Sequence, residues 1–385
     1  NTYQAKLEYY QNNDRTQFLE VEVLEYFSKD EFVLIWIPFL VGVSGIIKSI
    51  VKNEENKFIV YLLFIIGLIS VYYIKLPFAH RFGRYLMPVI PFYILISVYG
   101  IKIIFDFVSN RFVKRSALLP NAVFIIYVLI LAGIFINQNK KSQEEFTFFS
   151  KYHNDRHVSA GRWLKENTNE SDVIATHDVG AIAFYSERKI IDMAGLITPE
   201  LIAQINQRSY SEYLNNYLAK NKVEYVVTLK NWFEVVNDKP VFVPINQPEF
   251  LEIYKYNKSR THIQPKEVSQ LNQAAIQMFQ NNAGSNALAY LNQSLQLDNK
   301  SSQTYFLLGA VNEILKDYSK AEENLKRAIE LNPDYAEAYY GLAKINFDQN
   351  RIDAAENYLM KCLAINPDYQ PALQLRERLT TLIKN

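Results

Sequence analysis

Hydrophobic and polar positions change their rhythm twice along this chain. Between residues 32 and 139 they form blocks with no polar face: Phe32–Ile47, Phe58–Ile74, Tyr85–Ile101 and Ser116–Asn139, none carrying a charged side chain. At about 1.5 Å per residue, seventeen helical residues reach roughly 25 Å, the short end of a bilayer core. Interfacial Tyr, Trp and Lys make up the difference. A helix of a soluble core keeps one polar face, so the pattern predicts four transmembrane helices over 32–139. With four spans, residues 1–31 and everything after 140 share one side of the membrane. Counting loop Lys and Arg gives seven on each side, which leaves orientation open.

From 140 to 265 short apolar runs alternate with helical spacing. Asp172–Thr176, Lys189–Asp192 and Glu224–Leu229 read as strands; His157–Asn167, Ala181–Tyr185 and Tyr210–Asn221 read as helices. Alternation of this kind predicts a small α/β domain with a mostly parallel sheet. Thr198-Pro199 starts a further helix, with Thr198 as its cap, and Asp178 is a possible N-cap after the first strand. His177, Asp178 and Asp192 invite a metal or acid–base reading. No third ligand stands at motif spacing and no glycine-rich phosphate loop is present, so capping and strand-end hydrogen bonding are the preferred account.

The last third repeats itself. Asn332-Pro333-Asp334-Tyr335 recurs 34 residues on as Asn366-Pro367-Asp368-Tyr369, and Ala287, Ala321 and Ala355 keep the same step, as do Leu291, Leu325 and Leu359. With Tyr305, Leu308, Gly309 and Ala328, this pattern resembles the tetratricopeptide repeat. Three units are predicted within 266–385, at about 268–301, 302–335 and 336–369, with a capping helix at 370–384. The first is degenerate, having Asn299 where proline is usual, and Cys362 fills a small-residue position in the third. Arrays of this type bind through the concave face of their first helices. The resemblance puts Gln303, Phe306, Ala310 and Glu313 on that face in the middle unit, and Glu337, Tyr340, Lys344 and Phe347 in the last. A peptide-binding groove and a solvated face packed on the preceding domain are both open. The fold class is thus multidomain: a transmembrane helical bundle, a small α/β domain and an all-α tetratricopeptide solenoid.

Charge narrows the functions. Lys+Arg of 41 against Asp+Glu of 40 gives a net charge of +1, which disfavours nucleic acid as a general partner. One cysteine excludes an intrachain disulfide framework and a multi-cysteine zinc site. No metal or other cofactor is evident. The chain begins with Asn1, and its polar residues 1–31 lack a secretory signal pattern, so it reads as the C-terminal part of a longer protein.

The loop at 75–85, Lys-Leu-Pro-Phe-Ala-His-Arg-Phe-Gly-Arg-Tyr, puts His80, Arg81 and Arg84 beside Gly83 and Tyr85 at a span edge. Arg84 there suits either a lipid-linked phosphate or interfacial anchoring. This loop, the Leu86-Met87-Pro88 that follows, and Ile191-Asp192-Met193-Ala194-Gly195-Leu196 resemble the C-terminal half of bacterial GT-C-type membrane glycosyltransferases, relatives of protein mannosyltransferases and the lipid A aminoarabinose transferase. The resemblance covers roughly 32–240. It implies transfer of a sugar from a polyprenyl-phosphate carrier to an envelope acceptor at the outer face of the cytoplasmic membrane. It further implies that Arg84, supported by Arg81, His80 and Tyr85, lies near the carrier phosphate, and that the catalytic acidic residue lies upstream of Asn1. A divalent cation in the full-length enzyme stays open. The alternative is a non-enzymatic, membrane-anchored repeat scaffold that recruits a protein; a transporter half is weaker, because no charge interrupts a span.

Overall fold

A computed structural model describes residues 14–28, 32–77, 83–112, 119–244 and 250–384. The chain divides into two compact units, Asn1–Tyr152 and His153–Asn385.

In the first unit, α1 (Val33–Val51), α2 (Phe58–Lys75), α3 (Ile90–Phe112) and α4 (Leu119–His153) are long and apolar enough to cross a membrane. A single turn, Met87–Val89, takes up Pro88, so α3 proper starts late and Pro91 falls in its first turn, where a missing N–H costs no ladder bond. Upstream, helical turns between Arg15 and Ser28 bury Phe18, Val23 and Phe27, and the Phe27 ring meets Phe32 and Tyr93.

Pro38 lies inside α1 and removes the donor that Leu34's carbonyl would ordinarily receive four residues on. The hydroxyl of Tyr127 on α4 donates to that carbonyl at 2.9 Å. A neighbouring helix therefore satisfies the carbonyl that the proline leaves without its ladder partner. Gly42 and Gly100 let α1 and α3 touch backbone to backbone, since a Cβ on either would overlap a carbonyl oxygen of the other helix.

The second unit opens with α5 (Ser159–Asn167) and a sheet built from β1 (Val173–Thr176). α6 (Val179–Ser186) leads to β2 (Lys189–Asp192), and α7 (Tyr210–Lys220) leads to β3 (Val223–Leu229). β4 (Val235–Val236), β5 (Leu251–Lys255) and β6 (His262–Ile263) complete the strands. The main sheet runs β2-β1-β3-β5, with β1 parallel to β2 and β3, and β5 antiparallel at the edge. Side chains alternate across it. Ile174, Val227 and Ile253 pack with Leu164 and Ile182 on one face; Ala175, Val226 and Tyr254 pack with Leu214 and Leu218 on the other. Helices thus cover both faces. The chain leaves β1 in one direction for β2 and returns past it to β3, so the crevice between the ends of β1 and β3 is the topological switch point.

Two cap assignments differ from the sequence reading. Asp178 does precede α6, but its carboxylate makes no cap hydrogen bond and reaches His157 instead. Thr198 precedes a short 3-10 turn, Pro199–Gln204, and its hydroxyl accepts from Asp192 N–H at 2.8 Å rather than capping that turn. The buried Asp192 carboxylate in turn accepts from Ala194 and Ile197 N–H, which folds the loop after β2 back on itself.

Helical pairs follow: α8 (Lys266–Gln280) with α9 (Gly284–Leu297), α10 (Ser302–Ile314) with α11 (Tyr318–Leu331), α12 (Ala336–Asp348) with α13 (Ile352–Ile365), then α14 (Gln370–Lys384). The turn inside each pair contains one left-handed residue at the same repeat position: Asn282 (φ 60°), Lys316 (φ 61°) and Asn350 (φ 60°). Asparagine tolerates this region and lysine does so less well. Lys316→Asn is therefore expected to raise stability by about 0.5–1 kcal/mol, read as a higher urea midpoint at unchanged slope.

Candidate functional site

The candidate functional residues lie on the first helices of the repeats, at the switch-point crevice and in the turn before α3. On the repeats, Phe306 meets Tyr335 at 5.0 Å between ring centroids, and Tyr340 meets Tyr369 edge-on at 5.4 Å. Lys344 Nζ reaches Glu313 Oε1 at 2.5 Å, tying α12 to α10. The Arg378 guanidinium covers the Phe347 ring at 4.9 Å. Glu337 stands close enough to Tyr335, Tyr369 and Cys362 to help raise their pKa values after burial itself. The result is an aromatic strip edged by both signs of charge.

Gln303 is differently employed. Its carbonyl accepts from Gln264 Nε2 at 3.2 Å and its amide donates to Glu234 Oε1 at 3.3 Å, so this position faces the α/β domain. It belongs to a polar seam that sequence reasoning missed. Asn237 donates to Lys300 O at 2.7 Å and accepts from Ser302 N–H at 2.8 Å. His262 Nε2 lies 2.7 Å from Asp298 Oδ2, while Arg260 pairs with both Asp238 and Asp334. Nothing in local spacing announces such a seam. Tyr335 and Tyr369, by contrast, were findable, because both end the repeated Asn-Pro-Asp-Tyr.

At the switch point, Arg156, His157 and His177 are buried together. Arg156 Nε donates to His157 Nδ1 at 3.3 Å, which leaves the proton on Nε2, 2.8 Å from Asp178 Oδ2. Burial would push the Asp178 carboxyl up, but the His157 hydrogen bond and the nearby imidazoles override it and hold it at about 2. His177 stacks on Trp232 (5.3 Å, 22°) and leans on Phe233, and neither of its buried ring nitrogens has a hydrogen-bond partner in the described structure. Burial drives its pKa down to about 4, with His157 and Arg156 adding to the fall and Asp178 opposing it. A folded value below the unfolded 6.5 means that the neutral ring's stabilisation is full above pH 6.5 and is lost as pH falls through about 4. Unfolding free energy should thus drop by about 3 kcal/mol over that window. Chemical denaturation across pH should show it, and His177→Phe should flatten it. Asp178 stays charged in the folded state over this window. Its own contribution, full well above pH 3.8, begins to be lost only near the acid end of the window and goes as pH falls toward about 2. Among the described residues no three His, Cys, Asp or Glu side chains converge as a metal site.

Before α3, Gly83 takes φ 64° against the Tyr26 ring, where any Cβ would collide. This turn leaves Arg84 exposed, with its guanidinium 5.7 Å from the Tyr85 ring. Tyr85 stacks on Tyr72 of α2 at 5.3 Å. No carboxylate among the described residues pairs with Arg84. His80 and Arg81 lie outside the described residues.

Residues 315–379 match the tetratricopeptide repeat family. This part of the chain carries tetratricopeptide repeats. Residues 146–290 match a domain of unknown function (DUF8728), a span that takes in the whole sheet and the α8 helix. No curated protein matches the chain. Among solved structures, the first tetratricopeptide domain of Spaghetti (RPAP3) bound to an HSP90 peptide is 16% identical, covering 31% of this chain and 95% of that one, at a TM-score of 0.30. MamA is 29% identical over 28% of this chain and 63% of its own length, at 0.27. The Arabidopsis OM64 tetratricopeptide domain is 15% identical over 30% and 96%, at 0.30.

Proposed function

We propose that this chain is a membrane-anchored recruiting element whose repeat array captures an extended protein segment at the outer face of the bacterial cytoplasmic membrane. The observation that carries the reading is the aromatic strip on the concave face, where Phe306 and Tyr340 are half exposed between the Glu313–Lys344 pair, Glu337 and Arg378. Half-exposed rings beside fixed charges are what a bound segment needs for burial and register. A randomised peptide library displayed against the full chain tests it. Selected peptides should bind at least about tenfold more weakly to Tyr340→Ala and to Lys344→Ala. Equal binding by wild type and both variants would rule the groove out as the capture site.

A second reading adds chemistry: this chain as part of a GT-C-type glycosyltransferase that takes its sugar from a polyprenyl-phosphate carrier, the repeats holding a protein nearby. Arg84 supports it, being exposed and without a described carboxylate partner on a glycine-defined turn at the end of a span-length helix. An arginine there offers planar, bidentate donors to a lipid phosphate. Arg84→Ala in the membrane-embedded protein should then lower sugar transfer from a polyprenyl-phosphate donor by about a hundredfold, given what one charge-stabilising donor contributes. Unchanged turnover and carrier affinity would leave Arg84 as an interfacial anchor.

A further inference from the structure

A cleft of about 600 Å³ opens where the chain leaves β3 and faces α8. It lies beside the switch point of the sheet, the usual place for a ligand in an open α/β fold, and its volume is that of a small-molecule site. All its lining residues fall within the 146–290 stretch matched as a domain of unknown function.

Its composition is specific. One wall is aromatic: Trp232 and Phe250 are 45% and 42% exposed, and the Phe250 carbonyl accepts from Lys230 N–H at 3.2 Å, which ties the two segments together. Trp232 is fixed from one side by the stacked His177 ring, so the indole is pre-set rather than mobile. The facing wall is a row of amides. Gln270, Gln273 and Gln277 stand at helical spacing on one stripe of α8, all exposed and all lining the cleft, with Asn231 on the β3 side. Ala274 is the single aliphatic side chain among the described lining residues.

We propose that this cleft binds a saccharide. Aromatic faces stack on the C–H faces of a sugar ring, and planar amides offer a donor and an acceptor each to neighbouring hydroxyls. A peptide side chain would want aliphatic walls, and among the described lining residues only Ala274 is aliphatic. A nucleic acid would want a cationic floor, and among the described lining residues only Lys230 and Lys266 are cationic, with Glu234 already accepting from Gln264 at 2.8 Å. The two lysines favour an acidic sugar over a neutral one. The site uses none of the residues of the repeat groove or of the Arg84 turn discussed above, and it stands whether or not the chain transfers a sugar.

The test uses the full chain in lipid nanodiscs, so that no sugar-headed detergent competes. Maltotetraose, chitotetraose and tetragalacturonate serve as neutral, N-acetylated and acidic probes, with tryptophan emission and calorimetry as readouts. At least one probe should bind saturably and shift the emission, tetragalacturonate most strongly. Trp232→Ala and Gln273→Leu should each weaken that binding by about tenfold or more. Gln273 is exposed, so its variant should keep the wild-type thermal transition and stays informative even if Trp232→Ala fails to fold. No binding by any probe up to about 10 mM, or binding equal in wild type and Gln273→Leu, overturns the assignment. So does a result in which the two variants lose a protein partner while no saccharide binds.

Discussion

Gly100→Leu should be the most damaging single change in this protein. A Cβ at this position would overlap the Pro38 carbonyl oxygen, with Pro38 C at 2.7 Å and the Gly42 nitrogen at 2.8 Å. All three are backbone atoms, so no rotamer change relieves the clash and α1 and α3 must separate. Separation withdraws Ile96, fully buried, from the bundle core, with Ile46 of the facing helix exposed to the same rearrangement. Overpacking ordinarily costs about 1–3 kcal/mol where side chains can yield; where only backbone can move, a loss beyond about 3 kcal/mol is expected. The thermal transition in detergent should fall sharply or vanish. Gly67→Leu is the matched control, because nothing lies within 4 Å of its would-be Cβ, and it should leave the transition in place.

Leu325→Ala should have the next largest effect. Leu325 is 1% exposed on α11, and its side chain is the neighbour that a Cβ would strike at both Gly309 of α10 and Gly341 of α12. One leucine thus fills the joint of its own repeat and that of the next. Removing it leaves a cavity bounded by two helices that cannot close without shifting, and a cost of about 3–5 kcal/mol is expected. In a short array each repeat leans on its neighbours, so the loss should spread. Amide hydrogen exchange should rise across both α10–α11 and α12–α13. Exchange confined to α11, or an unfolding free energy within about 1 kcal/mol of wild type, would contradict this packing.

The repeats were legible because a fixed period leaves its mark on many residues at once. Ala321, Leu325 and Ala328 are all buried, and the left-handed turn residues 282, 316 and 350 keep the same 34-residue step. The parallel strands were legible from apolar runs between helical patterns. β5 was not, because Leu251–Lys255 is short, carries Glu252, and gains strand character from antiparallel pairing with β3. Asp178 looked like a cap because spacing shows position and not partner; His157, twenty-one residues earlier, takes its carboxylate. Gln303 went astray for a similar reason. Its repeat position faces the groove by pattern, while Gln264 and Glu234 of the α/β domain engage it in space. The saccharide cleft had no sequence signature, since Trp232, Phe250 and the glutamines of α8 meet only through the fold.

Membrane topology is the most direct test of the proposed role, and the chain is well suited to it. Cys362, its one cysteine, is fully buried, and burial with the nearby Glu337 charge lifts its thiol to about 11, so background labelling should be low. Single cysteines at Arg84, at Glu54 between α1 and α2, and at Lys320 on the repeats can be treated with a membrane-impermeant maleimide on intact cells. Labelling at positions 84 and 320 from outside, with position 54 reactive only after permeabilisation, is the expected result. Positions 84 and 320 in opposite compartments would contradict it, and both the recruiting and the sugar-transfer readings would fall together.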